Sequence, residues 1–335
     1  MPAISPWAGR RVLVTGANGF VGRWLVSALA AAGAYVCGLV KSGYETRENS
    51  HPRVFPDGVE IAHGDITDLT LIAKLIAGSA IDTVYHLAAI NTNTGAGVSP
   101  YQVFETNLRG VYTVLEACRT APRIVRALIA SSKEVEACFA PGSTRSRHPY
   151  MASKAAAELV AGAYGDTFGV PIAIVRSDNL YGGGDLNWSR LVPGTIRSLL
   201  RGETPVIRSN GLFQRDYVYI EDGVAAYLAI GARLDHPAVS GQLFRVASGT
   251  RISVLELVKK IAQAAGFPAL EPRLLNEDSE ARIDAPYTPQ REYALLGWQP
   301  QFSLATGLER TCHWYRDFFK KETSDTFLSV DKSAP

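Results

Sequence analysis

The sequence predicts an α/β fold, a doubly wound parallel sheet followed by a smaller, mixed C-terminal lobe, and three observations carry that prediction. Short apolar runs alternate with helix-period stretches from residue 11 to residue 175. Three glycines at three-residue spacing, Gly16, Gly19 and Gly22, join the first run to the first helical stretch. Past Arg176 the alternation gives way to loops and a proline-rich segment. At 335 residues the chain is long enough to bury a large core.

Residues 11–14 read as a buried strand, and Trp24, Leu25 and Leu29 mark the helix after the glycine turn. Gly33 closes that helix and residues 34–40 form a second strand. Residues 59–62 are a third strand leading into His63-Gly64-Asp65, and residues 69–77 are helical. Residues 83–87 form a fourth strand, residues 103–119 a long helix, and residues 124–130 a fifth strand stopping at Ser131-Ser132. A helix over 150–168 and a sixth strand over 171–175 complete the alternation. Beyond it come a helix over 191–201, a strand over 216–220, and a helix to Ala229 capped by Glu221 and Asp222. A strand over 242–247 and a helix over 253–265 with Ser253 as N-cap follow. Residues 267–290 are proline-rich and aperiodic, and a loose polar tail is expected from about Glu322.

Composition narrows the function classes. A net charge of +2 gives no bulk attraction to nucleic acid or to membrane. No apolar run is long enough to span a bilayer, and the N-terminus lacks the order of a signal peptide. Cys37, Cys118, Cys138 and Cys312 are scattered without a C-x-x-C pair, so neither a disulfide framework nor a metal site is expected, and a cytoplasmic setting is.

The glycine turn is where chemistry enters. Gly16 permits a sharp turn, Gly19 lets a diphosphate approach the backbone, and Gly22 lets helix and strand pack closely. The first helical N–H groups then face the diphosphate. A second candidate pair is Tyr150 and Lys154, four residues apart on one helix and therefore on one face. A phenol titrates near 10, too high for a base at neutral pH, and a neighbouring ammonium is expected to lower it.

Thr15 to Gly22 reads T-G-x-x-G-x-x-G, and with Ser132, Tyr150 and Lys154 the chain resembles the extended short-chain dehydrogenase/reductases that act on nucleotide-sugars. The resemblance runs from about Trp7 to Phe318. It implies a Rossmann domain over residues 1–176, completed by strands near 214–220 and 242–247. A nucleotide-sugar lobe is implied over 177–320, with the tail at 321–335. It also implies a homodimer built on helices 103–119 and 150–168.

The resemblance places Gly16, Asn18, Gly19, Phe20, Val21 and Gly22 on the dinucleotide, with Asp65, Ile66, Leu87, Ala88 and Ala89 at its adenosine end and Tyr150 and Lys154 at the nicotinamide. The second strand ends at Lys41, without the acidic residue that usually holds the ribose of NAD. A lysine attracts a 2′-phosphate, so NADP is expected, with NAD the alternative.

Lys133 and Glu134 follow Ser132. In the resembled dTDP-glucose 4,6-dehydratases a glutamate in the position of Glu134 removes the C5 proton and an aspartate stands where this chain has Lys133. GDP-mannose dehydratases keep the glutamate, CDP-glucose dehydratases have Asp-Lys, and the Lys-Glu of this chain departs from all three. Pattern similarity is greatest to the CDP-glucose and GDP-mannose 4,6-dehydratases. The segments around Arg176 to Gly182 and Gly182 to Pro193 imply substrate contacts by Asn179, Arg190 and Leu191. Asn91 is implied as another. Arg215 and Arg282 match arginines that hold the diphosphate bidentately. The implied activity is a nucleotide-sugar 4,6-dehydratase. A 4-epimerase or 4-ketosugar reductase needs the triad but not Glu134, and a non-catalytic NADP-binding sensor needs no activated phenol.

Overall fold

The computed structural model describes residues 5–41, 55–91, 98–139, 148–277 and 287–330, the last nine of these as backbone only. The elements run β1 (Arg11–Thr15), α1 (Phe20–Ala31), β2 (Tyr35–Val40), β3 (Glu60–His63), α2 (Leu69–Gly78) and β4 (Thr83–His86). Next come α3 (Pro100–Phe104), a π-helical turn (Glu105–Arg109), α4 (Gly110–Thr120), β5 (Arg126–Ser132), a 3₁₀ turn (Lys133–Val135), α5 (Glu136–Phe139) and α6 (Pro149–Phe168). The chain continues through β6 (Ile172–Ser177), β7 (Asn179–Tyr181), α7 (Leu191–Leu200), β8 (Val206–Ile207), β9 (Gln214–Tyr219) and α8 (Ile220–Gly231). It ends with β10 (Gln242–Val246), β11 (Arg251–Ser253), α9 (Val254–Ala264), β12 (Arg273–Leu274), α10 (Gln290–Leu296) and α11 (Leu304–Val330).

Seven strands form one parallel sheet in the order β10-β6-β5-β4-β1-β2-β3. Side chains alternate between its faces, and both faces are covered. Val12 and Val14 join one apolar cluster with α1 and α8, while Leu13 joins the other with α2, α4 and α6. This is the expected doubly wound architecture, and β10 returns to the main sheet as the sequence predicts.

Three expectations need correction. The strand near 214–220 does not complete the main sheet: β10 occupies the edge of β6, so β9 pairs with β7 and β11 in a separate three-stranded sheet. Asp222 does not cap α8. Its carboxylate instead accepts the N–H groups of Gln301 (2.7 Å) and Phe302 (3.1 Å), fixing the chain that enters α11. The stretch from Glu322 to Val330, expected to be aperiodic, is helical and continues α11. No glycine or proline interrupts residues 308–330, so helix propagation has no breaker to stop it.

The long helix expected over 103–119 begins earlier, at Pro100, under a reciprocal capping box between Ser99 and Gln102. It is interrupted by the π-helical turn centred on Asn107. Ser253 caps α9 as expected, again with a capping box, through Glu256. No helix among the described residues is long and apolar enough to cross a membrane.

Candidate active site

The glycine turn is a contact between backbones. Gly16 has φ +68°, and a Cβ there would lie 2.9 Å from the Ala88 backbone. A Cβ on Gly22 would lie 2.2 Å from the Gly16 carbonyl oxygen. The Gly16 and Ala17 N–H groups donate to Leu39 O at 3.1 and 3.3 Å, tying the turn to β2. Gly19 is the N-cap of α1 and supplies no side-chain cap, so the N–H groups at the start of the helix, on Phe20, Val21 and Gly22, face outward without one. A Cβ on Gly19 would meet only the Gly16 carbonyl oxygen, at 3.2 Å, so a side chain there would extend over this cradle, and the cradle fits a diphosphate. Asn18 braces it: its carbonyl accepts from Arg23 Nε at 2.9 Å.

The segment after β4 forms the neighbouring wall. Thr15 Oγ1 bonds His86 Nδ1 at 2.9 Å and accepts the Ala88 N–H at 3.3 Å. Leu87, Ala88 and Ala89 are thereby laid against the turn. At the outer edge, Lys41 Nζ lies 3.0 Å from Asp65 Oδ2. The other Asp65 oxygen accepts the N–H and hydroxyl of Thr67. Burial raises the Asp65 carboxyl, but those bonds and Lys41 outweigh it and hold it below its ordinary value. Lys41 and Asp65, expected at separate points of the adenosine, are therefore paired with each other. Ile66 is buried against Gly110.

At the carboxyl end of β5, Ser132 hydrogen-bonds Tyr150, and its Oγ also accepts the Glu134 N–H at 3.3 Å, capping the 3₁₀ turn. Lys154 is buried and donates to Ala130 O at 2.7 Å. Ser132, Tyr150 and Lys154 are thus assembled from β5 and α6. The phenol is pushed up to about 12, first by burial and then by the Glu134 charge, against the Ser132 hydrogen bond and Arg190. This reverses the expected lowering, because desolvation and the Glu134 charge outweigh the Ser132 hydrogen bond and Arg190. Burial pushes the Lys154 ammonium down to about 8, with Glu158 opposing.

Adjacent Lys133 and Glu134 act on different groups. Glu134 is exposed and its charge reaches Tyr150, whereas the Lys133 charge reaches Asp178. The Asp178 side chain is fully buried between β6 and β7, and burial raises its carboxyl to about 6. Arg245 grips both of its oxygens, at 2.8 and 3.2 Å, and also pairs with Glu136 at 3.2 Å.

The expected substrate residues are placed unevenly. Asn179 Nδ2 donates to Asp216 O at 2.9 Å, holding β7 to β9. Arg190 is tied to the buried Asp185 carboxylate and to Leu180 O (2.7 Å). Leu191 opens α7, Asn91 is half-buried just beyond β4, and Arg215 is half-buried on β9. Arg282 lies outside the described residues. A surface cavity of about 690 Å³ beside Trp24, Tyr219 and Trp314 includes none of the candidate site residues.

Sequence reading missed Asn107. It is buried in the π turn, donates to Ile90 O and Ser153 Oγ (3.0 Å each), and accepts the Ile90 N–H at 2.7 Å. It thus ties the loop after β4 to α6 one residue before Lys154. An asparagine among apolar helix positions is the signal that pointed to it. The Glu158–Arg176 and Asp178–Arg245 pairs were missed as well. Among the described residues no cluster of histidine, cysteine or carboxylate groups suits a metal ion.

The model of the NAD dependent epimerase/dehydratase family matches residues 12–244. A UDP-glucose 4-epimerase of Mycolicibacterium smegmatis is 32% identical over 321 residues, covering 92% of this chain and 99% of that protein. A dTDP-D-glucose 4,6-dehydratase of Bos taurus is 26% identical over 324 residues, covering 92% and 90%. The solved structure of DesIV, a dTDP-glucose 4,6-dehydratase from Streptomyces venezuelae with NAD bound, is 28% identical. It superposes with a TM-score of 0.75 and covers 92% of this chain and 97% of its own. The chain belongs to the NAD dependent epimerase/dehydratase family.

The Asp178–Arg245 pair yields a stability prediction. Removing one partner strands a buried charge, so Arg245→Met is expected to destabilise the protein by about 3–5 kcal/mol in urea unfolding. Asp178→Asn combined with Arg245→Met is expected to recover most of that loss. A double variant as unstable as the single one would mean that packing, not charge, holds this junction.

Proposed function

We propose that this family member is a nucleotide-sugar 4,6-dehydratase, forming a 4-keto-6-deoxy sugar from a nucleoside-diphosphate sugar. The observation that carries the reading is Glu134: the Ser132-capped turn holds it where its charge acts on Tyr150. The glycine cradle and the α1 N-terminus would hold the diphosphate of a nicotinamide dinucleotide, which, when bound, takes up and returns the hydride. Tyr150, oriented by Ser132, removes the C4 hydroxyl proton. Lys154 stabilises the phenolate. The C4 ketone acidifies C5–H, and Glu134 takes that proton as the C6 hydroxyl leaves as water. Lys133, acting beside Asp178, stands in the position of the acid for that oxygen. On this reading Asn91, Asn179, Leu191, Arg190 and Arg215 serve the sugar-nucleotide, and Arg282, which lies outside the described residues, is assigned to the diphosphate with Arg215 by the sequence resemblance alone.

A 4-epimerase is the second reading, favoured by the 32% identity to the mycobacterial UDP-glucose 4-epimerase. The two separate at C5. In deuterated water the wild type is expected to place deuterium at C5 and to lose water from its substrate, followed by mass spectrometry. Glu134→Gln is expected to abolish exchange while sparing C4 oxidation, and Tyr150→Phe to abolish both. Turnover of Glu134→Gln at the wild-type rate would transfer the assignment to the epimerase or a 4-ketosugar reductase.

The cofactor is read as NADP, because Lys41 stands where NAD enzymes of this fold carry an acid. Calorimetry is expected to give tighter binding of NADP than of NAD, and Lys41→Asp to lose that preference. Equal wild-type affinities would remove the basis for the NADP reading.

The chain is also read as a homodimer working in a reducing cytoplasm, which suits its four free cysteines. The exposed Tyr101, Phe104 and Tyr112 of α3 and α4, with Leu159 of α6, supply an apolar face of the kind that pairs with a second copy. Solution scattering at micromolar concentration is expected to return twice the chain mass, and a monomer mass would refute the dimer.

A further inference from the structure

We propose that Glu158 is a positioning residue that keeps Lys154 charged and thereby governs the Tyr150–Lys154 pair. The inference rests on the catalytic reading of those two residues.

The geometry comes first. Lys154 and Glu158 lie one turn apart on α6 and both are buried. Glu158 is clamped from two neighbouring strands. Ser131 Oγ donates to Oε1 from β5, and Arg176 donates from β6 through Nε (2.9 Å) and Nη2 (2.6 Å). Ser131 and Arg176 are register partners, so the carboxylate sits over one rung of the sheet. Ser131 precedes Ser132, which bonds Tyr150, and Ala130, one residue earlier, accepts from Lys154. Three consecutive residues of β5 therefore contact three ionisable groups of α6, namely Tyr150, Lys154 and Glu158.

The charges around Lys154 explain why a carboxylate belongs there. His86 approaches from β4 with a buried Nε2 that has no hydrogen-bond partner. Burial, then Lys154, hold that imidazole down to about 3, so it is neutral and supplies no counter-charge. Tyr150 lies one turn before Lys154 on the same helix and is neutral until it gives up its proton. Arg176 approaches from β6 with its guanidinium turned to Glu158. Glu158 is thus the anion that opposes the burial of the ammonium. With Lys154 held down to about 8 even so, the margin for staying charged at neutral pH is about one unit. An uncharged lysine does not stabilise a phenolate.

The test pairs a pH profile with a measurement on the chain alone. Glu158→Gln is expected to move the alkaline limb of kcat down by about one pH unit and to leave KM for the nucleotide-sugar unchanged. Glu158→Asp, which keeps the charge, is expected to restore the limb. Glu158→Gln with Arg176→Gln removes both halves of the clamp, so that Arg176 is not left unpaired, and is expected to show the same shift. Without substrate, folded Lys154 titrates near 8 against 10.5 for the free side chain. The unfolded chain then binds more protons between those values, and stability rises with pH across that window. In Glu158→Gln the rise is expected to begin at lower pH, and in a Lys154→Met background the effect of Glu158→Gln on the window is expected to vanish.

A uniform fall in kcat at every pH, with limb and unfolding window unmoved, would make Glu158 merely structural and overturn the proposal. A Lys154→Met enzyme that keeps the wild-type alkaline limb would overturn the catalytic reading of Lys154. The unfolding window would then still decide whether Glu158 and Lys154 are coupled.

Discussion

The structure depends on how closely three stretches of backbone meet at the carboxyl end of β1. Gly16 turns against Ala88 and Gly22 rests on the Gly16 carbonyl, with distances that leave no room for a methyl group. Because backbone meets backbone, no change of side-chain rotamer relieves a substitution there. That contact brings the α1 N-terminus, the wall after β4 and the end of β2 to one point. The end of β5, which carries Ser132, is then placed by sheet register.

Most of the parallel sheet and the reactive pair were legible because their signals are local. The glycine spacing, the alternation of apolar runs and the Tyr150–Lys154 interval each need only a few consecutive residues. What was not legible depends on partners far apart in sequence. β9 left the main sheet because β10 filled the available edge, which no property of residues 214–220 announces. Asp222 looks like a helix-terminal acid and instead holds a loop almost eighty residues downstream. Arg190 matches a substrate-binding position, yet Asp185 and Leu180 hold its guanidinium. The phenol of Tyr150 moved opposite to expectation for a related reason. The charges of its neighbours are visible in sequence, and the depth of its burial is not.

A consistent division of labour emerges at the strand ends. Glu134, whose charge reaches Tyr150, sits on a short, locally encoded turn, the 3₁₀ turn after Ser132. Residues that hold the strand ends in place are ion pairs bridging distant segments, as Arg245 does for Asp178 and Arg176 for Glu158. Buried pairs of this kind contribute little net stability over apolar side chains of equal volume. Their value here lies in orientation, since a bidentate arginine allows a carboxylate few alternative positions.

On the proposed NADP reading, the Lys41–Asp65 contact changes how selectivity between phosphorylated and unphosphorylated cofactors has to be counted. A 2′-phosphate arriving at this edge does not meet a bare cation. It exchanges one anion for another around the same ammonium, and the electrostatic gain is the difference between two pairs. Asp65, once displaced, is left facing the incoming phosphate and opposes it. Selectivity at this edge is therefore an exchange equilibrium, set as much by how readily Thr67 retains the released carboxylate as by Lys41 itself.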